Sequence, residues 1–519
     1  MPRVLLSLPA CLTLIVSAHA FAQNPADPDA RRPEEQSTDQ PVPVVTPDAA
    51  AAASTPATEV PAVAMAAAPA KPKLGDVSVH GYFRGGIGGN YREKGRATCF
   101  GLASINGSLK SKYRLGNECE QWGELLLSTV VYAGDDGTIG TFHFMPVAFI
   151  PTSFIGFSPS MTTSAQDQQN QTSTGATVAF PNLYADIKGI GWLYGGTAWG
   201  GSRYYKRESV YISDFFYWNP SGVGAGIEDA FQLGKIWASA PDMLKDVSFS
   251  YAAFAVDGQP TGNPYLPQRY AFGVRNDLQV RGFRPWQNGE LQVGFQYIAD
   301  WSSNVNDMGD PATTYGGWGV TGQFVQKLLG GDIRAAVQYG KGGGTGFGTL
   351  ARFYYPDFSL QQDLSEWRLR ALIVPTIQPT DWLGAQAVFV FQRDSNQTPA
   401  AGDWYSVGGR LSLGLTKHVK VLGEAGHDRV QPTNGSDSRT LTKVTGAVAL
   451  GADRKLLSRP ELRLFYTWAV WNDAARTAGV DSGRIYTQST PACDVPTNAN
   501  CYTSFLSASI FGLQAETWW

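Results

Sequence analysis

An all-β fold, closed as a transmembrane antiparallel β-barrel, is what this sequence predicts, and three observations predict it. Of 519 residues 58 are glycine, 12% are aromatic and only 16% are charged. Beyond the N-terminus no apolar run approaches the roughly 20 residues of a membrane-spanning helix. That combination suits a barrel wall, in which only alternate residues face lipid. From Val77 onward the chain alternates apolar and polar residues in short segments separated by turn signals. The last of these segments carries the alternation to a terminal pair of tryptophans, Trp518 and Trp519.

The N-terminal part reads differently. Arg3, an apolar stretch over 4–16 and an Ala-x-Ala site at Ala18–Ala20 or Ala20–Ala22 predict a secretory signal over residues 1–22. Residues 23–75 are rich in Pro, Ala and Thr, lack heptads and cannot bury a core, which predicts a disordered periplasmic linker. The barrel is expected over 76–519. Losing Cys11 with the signal leaves Cys99, Cys119, Cys493 and Cys501. An even count in an exported chain suggests two local disulfides, Cys99–Cys119 and Cys493–Cys501. With no histidines at metal spacing, neither zinc nor any cofactor is expected. A formal net charge of -3 gives no basic footprint for nucleic acid.

Each strand argument rests on parity. After Asn288-Gly289, Leu291, Val293, Phe295 and Tyr297 face one way, against Glu290, Gln292, Gly294 and Gln296. Gly330-Gly331 introduces Ile333, Ala335, Val337 and Tyr339 against Asp332, Arg334, Ala336 and Gln338. Further on, Tyr405, Val407, Leu411 and Leu413 oppose Trp404, Ser406, Arg410 and Ser412; Leu462, Leu464, Tyr466 and Trp468 oppose Arg463, Phe465, Thr467 and Trp471. In the terminal segment Phe511, Leu513 and Trp519 oppose Gln514, Glu516 and Trp518. Apolar outside and polar inside is the barrel pattern. Pro379-Thr380-Asp381 and Leu415-Thr416-Lys417 read as tight periplasmic turns, and 162–177, 302–316 and 341–364 as external loops.

One stretch fits no soluble core: GGSRYYKRESVYISDFFYWNPSGVGAGIE, Gly200 to Glu228. Read as a strand over 203–211, it puts Arg203, Tyr205, Arg207, Ser209 and Tyr211 on one face, with a bulge or turn near Ile212-Ser213 restoring Asp214, Phe216 and Trp218. Lys206 and Glu208 then fall on the lipid face, a cost that a subunit interface would relieve.

Together with VSVHGYFRGGIG (77–88), SKYRLGNECE (111–120), LSRPELRLF (457–465) and the final ETWW, this stretch resembles the maltoporins. The resemblance covers about 77–519 and implies an eighteen-stranded homotrimeric barrel, embedded in outer-membrane lipid and passing sugars by facilitated diffusion. It also implies an aromatic slide for sugar rings, flanked by polar tracks for their hydroxyls. Tyr82, Trp122 and Trp518 match slide positions, whereas Leu457 and Asp332 fall where aromatics are expected. The slide tryptophan that the family takes from a neighbouring subunit has Phe154 or Phe157 as its stand-in. Arg84, Arg114, Glu124, Arg207 and Asp214 match track positions; Ser209 replaces an aspartate, Tyr211 a histidine, and Phe216 a constriction tyrosine. The inward arginines Arg334 and Arg463 read equally well as members of a lumenal salt-bridge network.

The expected function is therefore diffusion of mono- to oligosaccharides, maltodextrins or related glucans, across the outer membrane. A general or anion-preferring porin, using the arginine ladder electrostatically, is the alternative. A hydrolase is not expected, because none of His80, His143, His418 and His427 sits in a local Ser or Asp constellation.

Overall fold

The computed structural model describes residues 72–90, 95–96, 100–102, 113–118, 120–151, 177–257, 272–301, 316–347, 364–395, 402–433, 435–476 and 506–519. The predicted signal, residues 23–71 of the predicted linker and the predicted disulfides, with Phe154 and Phe157, lie outside them.

Alternating sequence becomes strand after strand. The wall begins with β1 (Val77–Asn90), β2 (Glu120–Ala133), β3 (Ile139–Pro151), β4 (Thr177–Lys188), β5 (Thr197–Arg203) and β6 (Gly222–Ala230). It continues with β7 (Ser248–Asp257), β8 (Phe272–Phe283), β9 (Gly289–Asp300), β10 (Gly317–Leu328), β11 (Gly331–Gly342) and β12 (Trp367–Ile377). The last six are β13 (Leu383–Asp394), β14 (Gly402–Gly414), β15 (Val419–Pro432), β16 (Arg439–Gly451), β17 (Glu461–Trp471) and β18 (Ser507–Trp518). The sheet has nineteen strands, of which Gly95–Arg96 is a two-residue extension beside β1, leaving eighteen that form the wall. Every neighbouring pair is antiparallel, and β1 pairs with both β2 and β18, so the sheet closes and has no free edge. A strand of twelve residues rising about 3.4 Å each and tilted by about 40° spans roughly 30 Å, enough to cross the apolar layer.

The parity holds. Leu462, Leu464, Tyr466 and Trp468 are 42–60% exposed on the outside, while Arg463, Phe465 and Thr467 between them are at most 6% exposed inside. Connectors alternate as well. At the end where β1 begins and β18 stops they are mostly short, and the tightest joins Leu328 to Gly331 through Leu329 and Gly330, both at positive φ (50° and 71°), as a two-residue hairpin turn requires. Leu415 and Thr416 close the next predicted tight turn on the carbonyl of Val419. At the other end the connectors are longer, and two of them fold into the lumen.

The first inner segment is Tyr113–Glu118. Leu115 N donates to Glu424 Oε1 (2.9 Å) and Leu115 O accepts from Lys443 Nζ (2.7 Å), while Gly116 N donates to Gln514 (3.0 Å). The second is an inner hairpin, Glu208–Val210 paired with Phe215–Trp218. Its apolar side (Val210, Ile212, Phe215) packs on Leu372, Val374, Val388 and Val390 of the wall. Ile212 N donates to Gln386 (3.0 Å), and Tyr217 Oη donates to Gln323 (2.5 Å).

This corrects the expectation of one strand from Arg203 to Tyr211. The wall strand β5 stops at Arg203, Lys206 takes a positive φ of 40°, and the chain then turns into the lumen. Consequently Lys206 and Glu208 do not face lipid. Lys206 pairs with Asp229 (2.7 Å), and Glu208 bridges Arg281 and Arg334 (2.9 Å each). The expected break near Ile212-Ser213 is a 3-10 turn over Tyr211–Ser213, ended by Asp214 at φ 51°. Aspartate is one of the few residues that accept that conformation readily.

Candidate pore constriction

The registers of β18, β1 and β2 set the site. Tyr82 lies opposite Trp518 and Glu124, and Arg84 opposite Glu516 and Trp122. Inward parity then places all six side chains on one patch of lumenal wall. The rings of Tyr82 and Trp518 are 6.4 Å apart and only 20° from parallel. Tyr211 meets Trp518 edge-on at 6.2 Å. Trp122 meets Phe149 edge-on at 6.2 Å and donates its Nε1 proton to Glu124 (2.7 Å). Tyr204 packs against the Trp122 cluster and lies under the Arg207 guanidinium, 3.4 Å from ring centre to Cζ; Phe216 flanks the same guanidinium at 4.8 Å. Burial pushes the Tyr204 phenol above its ordinary pKa, against the opposing pull of Arg207.

Charge is organised around one carboxylate. Glu516 accepts from Arg114 (3.0 Å), Arg459 (2.7 Å), Arg463 (2.5 Å), Tyr82 Oη (3.0 Å) and Tyr211 Oη (2.5 Å). Arg459 also contacts the Tyr211 hydroxyl and lies over the Trp518 ring at 4.5 Å. Arg84 joins Asp214 (2.9 Å), Glu120 (2.7 Å) and Glu118 (3.7 Å), tying β1 to β2 and to both inner segments. Arg114 also pairs with Glu118 at 2.5 Å. Burial alone would lower the pKa of Arg114, but Glu118, Tyr82 and Glu516 outweigh it and hold the group above its ordinary value.

Residues 77–519, which include this whole constriction, match the model of the LamB porin family. The chain belongs to that family. The porin is accordingly an outer-membrane channel, with its short connectors periplasmic and its longer ones external. Among solved structures it is similar to Acinetobacter baumannii OccAB1 (8% identity, 87% of this chain and 98% of that one, TM-score 0.45). It is also similar to Pseudomonas aeruginosa OpdK with vanillate (8%, 86% and 100%, 0.43) and to the outer-membrane channel DcaP of Acinetobacter baumannii (10%, 86% and 98%, 0.40).

Of the residues expected at the site, Tyr82, Arg84, Arg114, Tyr211, Asp214 and Trp518 form one connected network in the porin, with Trp122, Glu124, Arg207 and Phe216 beside it. The arginines are not free fingers. Arg84 and Arg114 are 8% and 6% exposed and held in ion pairs. Arg334 and Arg463 are salt-bridged too, to Glu208 and Glu516. Asp332, at an expected slide position, pairs with Arg334 (3.1 Å). Sequence reasoning missed the roles of Glu516, Glu118, Arg459, Tyr204 and Phe149. Glu516 carried a signal, an acid of inward parity two residues before Trp518, whereas Arg459 sits in a turn where parity gives none.

One histidine does meet a serine and an aspartate. His143 Nδ1 is 2.8 Å from Ser128 Oγ, and its Nε2 is 3.2 Å from Asp186. Spacings of 15 and 43 residues hid this row, which register assembles across β2, β3 and β4. The imidazole is also stacked on Tyr184 (4.3 Å, 14°), so the row lies along the wall as cross-strand bracing.

Proposed function

We propose that this porin passes neutral sugars, mono- to oligosaccharides of the glucan type, by facilitated diffusion, with a homotrimer as the working assembly. The observation that carries the reading is the near-parallel pair of Tyr82 and Trp518 on the lumenal wall, with Tyr211 edge-on beside it. Ring faces take up the apolar face of a pyranose, and Glu124, Asp214, Arg207 and the Tyr82 and Tyr211 hydroxyls are within the same patch to exchange hydrogen bonds with its hydroxyls. Trp122, Tyr204 and Phe216 extend the aromatic surface outward from the pair. Arg84 and Arg114 act in this reading through the carboxylates they hold. Several modest sites in series suit conduction, because a solute must leave each as easily as it enters.

The general or anion-preferring alternative draws on the number of arginines. Pairing of Arg84, Arg114, Arg334 and Arg463 with carboxylates favours the sugar reading instead, since a paired cation offers little field to a passing anion.

Single-channel current in the presence of neutral glycans tests the proposal. Maltodextrins or other glucans should block the current reversibly, and Trp518→Ala should weaken the block several-fold with ion conductance equal or higher. No block by any neutral glycan would overturn the sugar reading, and unchanged block in the variant would remove Trp518 from the slide.

A further inference from the structure

The outside of the barrel is not uniform. At the external end of β9–β13 the lipid-facing positions carry Tyr297, Trp318, Tyr339, Trp367 and Phe391, an interfacial aromatic girdle. Basic side chains stand among and just beyond these rings. Lys341 pairs in register with Trp318 on one side and Trp367 on the other. Arg393 lies 5.7 Å from the Phe391 ring centre, and Arg429 is opposite Tyr405. All three have the outward parity of Val337, Phe389 and Val407, which are themselves exposed. They sit on alternate strands, β11, β13 and β15, each displaced by two residues from the next in register, so two inter-strand spacings and two residues of rise put neighbouring cations about 12 Å apart.

The only acid with outward parity among the described residues of this rim is Asp403, which holds Arg393 at 2.6 Å. Among the described strand positions of this rim three cations thus face one carboxylate, and Asp437 is exposed in the connector that follows β15. Arg429 makes a hydrogen bond to Gln431 (3.1 Å) and no ion pair among the described residues. On the opposite half, the external ends of β1–β7 present Ile87, Ala148, Gly200, Ser202, Val223 and Ala255 outward. Lys341, Arg393 and Arg429 thus stand near one another on the external ends of β11, β13 and β15.

We propose that this rim docks the phosphorylated headgroups of glycolipid in the outer leaflet. A cation at the interface attracts anionic headgroups, and a phosphate can meet Lys341, Arg393 and Arg429 with charge-assisted bonds while its acyl chains lie on the aromatic belt below. The proposal is independent of the solute that the pore conducts.

Native mass spectrometry of the intact protein with bisphosphorylated lipid A, and with its dephosphorylated form, tests it. The phosphorylated lipid should be retained at least tenfold better, and the triple variant K341Q/R393Q/R429Q should reduce that retention at least fivefold. Heat-modifiable gel migration verifies that each barrel is folded. Should the triple variant fail to fold, Arg429→Gln alone should lower retention at least twofold, with Arg429→Lys restoring it. Equal retention of the two lipids, or undiminished retention in the folded variants, overturns the proposal. So does efficient crosslinking of Arg429→Cys between copies in native membranes, which would make this face a subunit contact.

Discussion

Glu516 is one carboxylate shared by three guanidinium groups and two phenols, and it is 2% exposed. Its five partners come from different places: Arg114 and Tyr211 from the two inner segments, Tyr82 and Arg463 from the wall, Arg459 from a periplasmic turn. Removing the charge while keeping the shape leaves Arg114, Arg459 and Arg463 facing one another without their common counter-ion. Breaking a buried pair in this way costs about 3 to 5 kcal/mol. Glu516→Gln is therefore expected to lower the denaturant midpoint of the folded barrel and to shift the reversal potential in a salt gradient toward anions, since the constriction gains one positive charge. Glu516→Asp, which keeps the charge, should shift the reversal potential far less. A Gln variant with unchanged midpoint and unchanged selectivity would show that Glu516 does not hold the constriction.

Besides the ion pairs of Arg114 and Glu118, the first inner segment is held by its backbone and by one ring. Tyr113 lies over the paired glycines Gly408 and Gly426 of β14 and β15 and bonds Ser406 Oγ at 2.9 Å. A Cβ added at Gly426 would come within 2.0 Å of the Tyr113 ring, and one at Gly408 within 2.3 Å. A side chain there must push the ring off the wall. Gly426→Val should therefore give a folded barrel with higher single-channel conductance, the segment having been displaced from the lumen; unchanged conductance would mean that Tyr113 does not anchor it. Much of this element level was legible. Parity identified the wall strands because lipid outside and water inside impose a period of two, and turn residues marked the short connectors. The inner hairpin was not legible as such, since Arg203–Tyr211 alternates like a wall strand and only the positive φ at Lys206 turns it inward. A signal did exist on its receiving surface. Leu372 and Val374 on β12, with Val388 and Val390 on β13, are apolar at inward positions, so these strands are apolar on both faces and need a lumenal partner. The aromatic and charged residues of the constriction were recognised by type and place, but their mutual pairing depends on contacts over more than a hundred residues of sequence, such as Arg84 with Asp214 and Tyr211 with Glu516, which no local pattern encodes.

At the scale of the whole porin, a closed sheet leaves every polar demand of the lumen to be met inside it. The inner layer meets that demand with paired charges: Arg84 with Asp214 and Glu120, Arg410 and Lys443 with Glu424, Arg459 and Arg463 with Glu516, Arg281 and Arg334 with Glu208, Arg203 with Glu228. Opposite charges a few ångströms apart cancel at the distance of a passing ion, and salt screens what remains over about 10 Å at 0.1 M. A lumen rich in arginine should on this account discriminate weakly between small ions, while retaining the oriented hydroxyl and carboxylate groups that a neutral sugar can use. The expected reversal potential across a tenfold potassium chloride gradient is accordingly close to zero, and lowering the ionic strength should change it only modestly. A reversal potential approaching that of an ideal anion electrode would mean that the guanidinium groups act as free charges, and would move the assignment from a sugar channel to an anion channel.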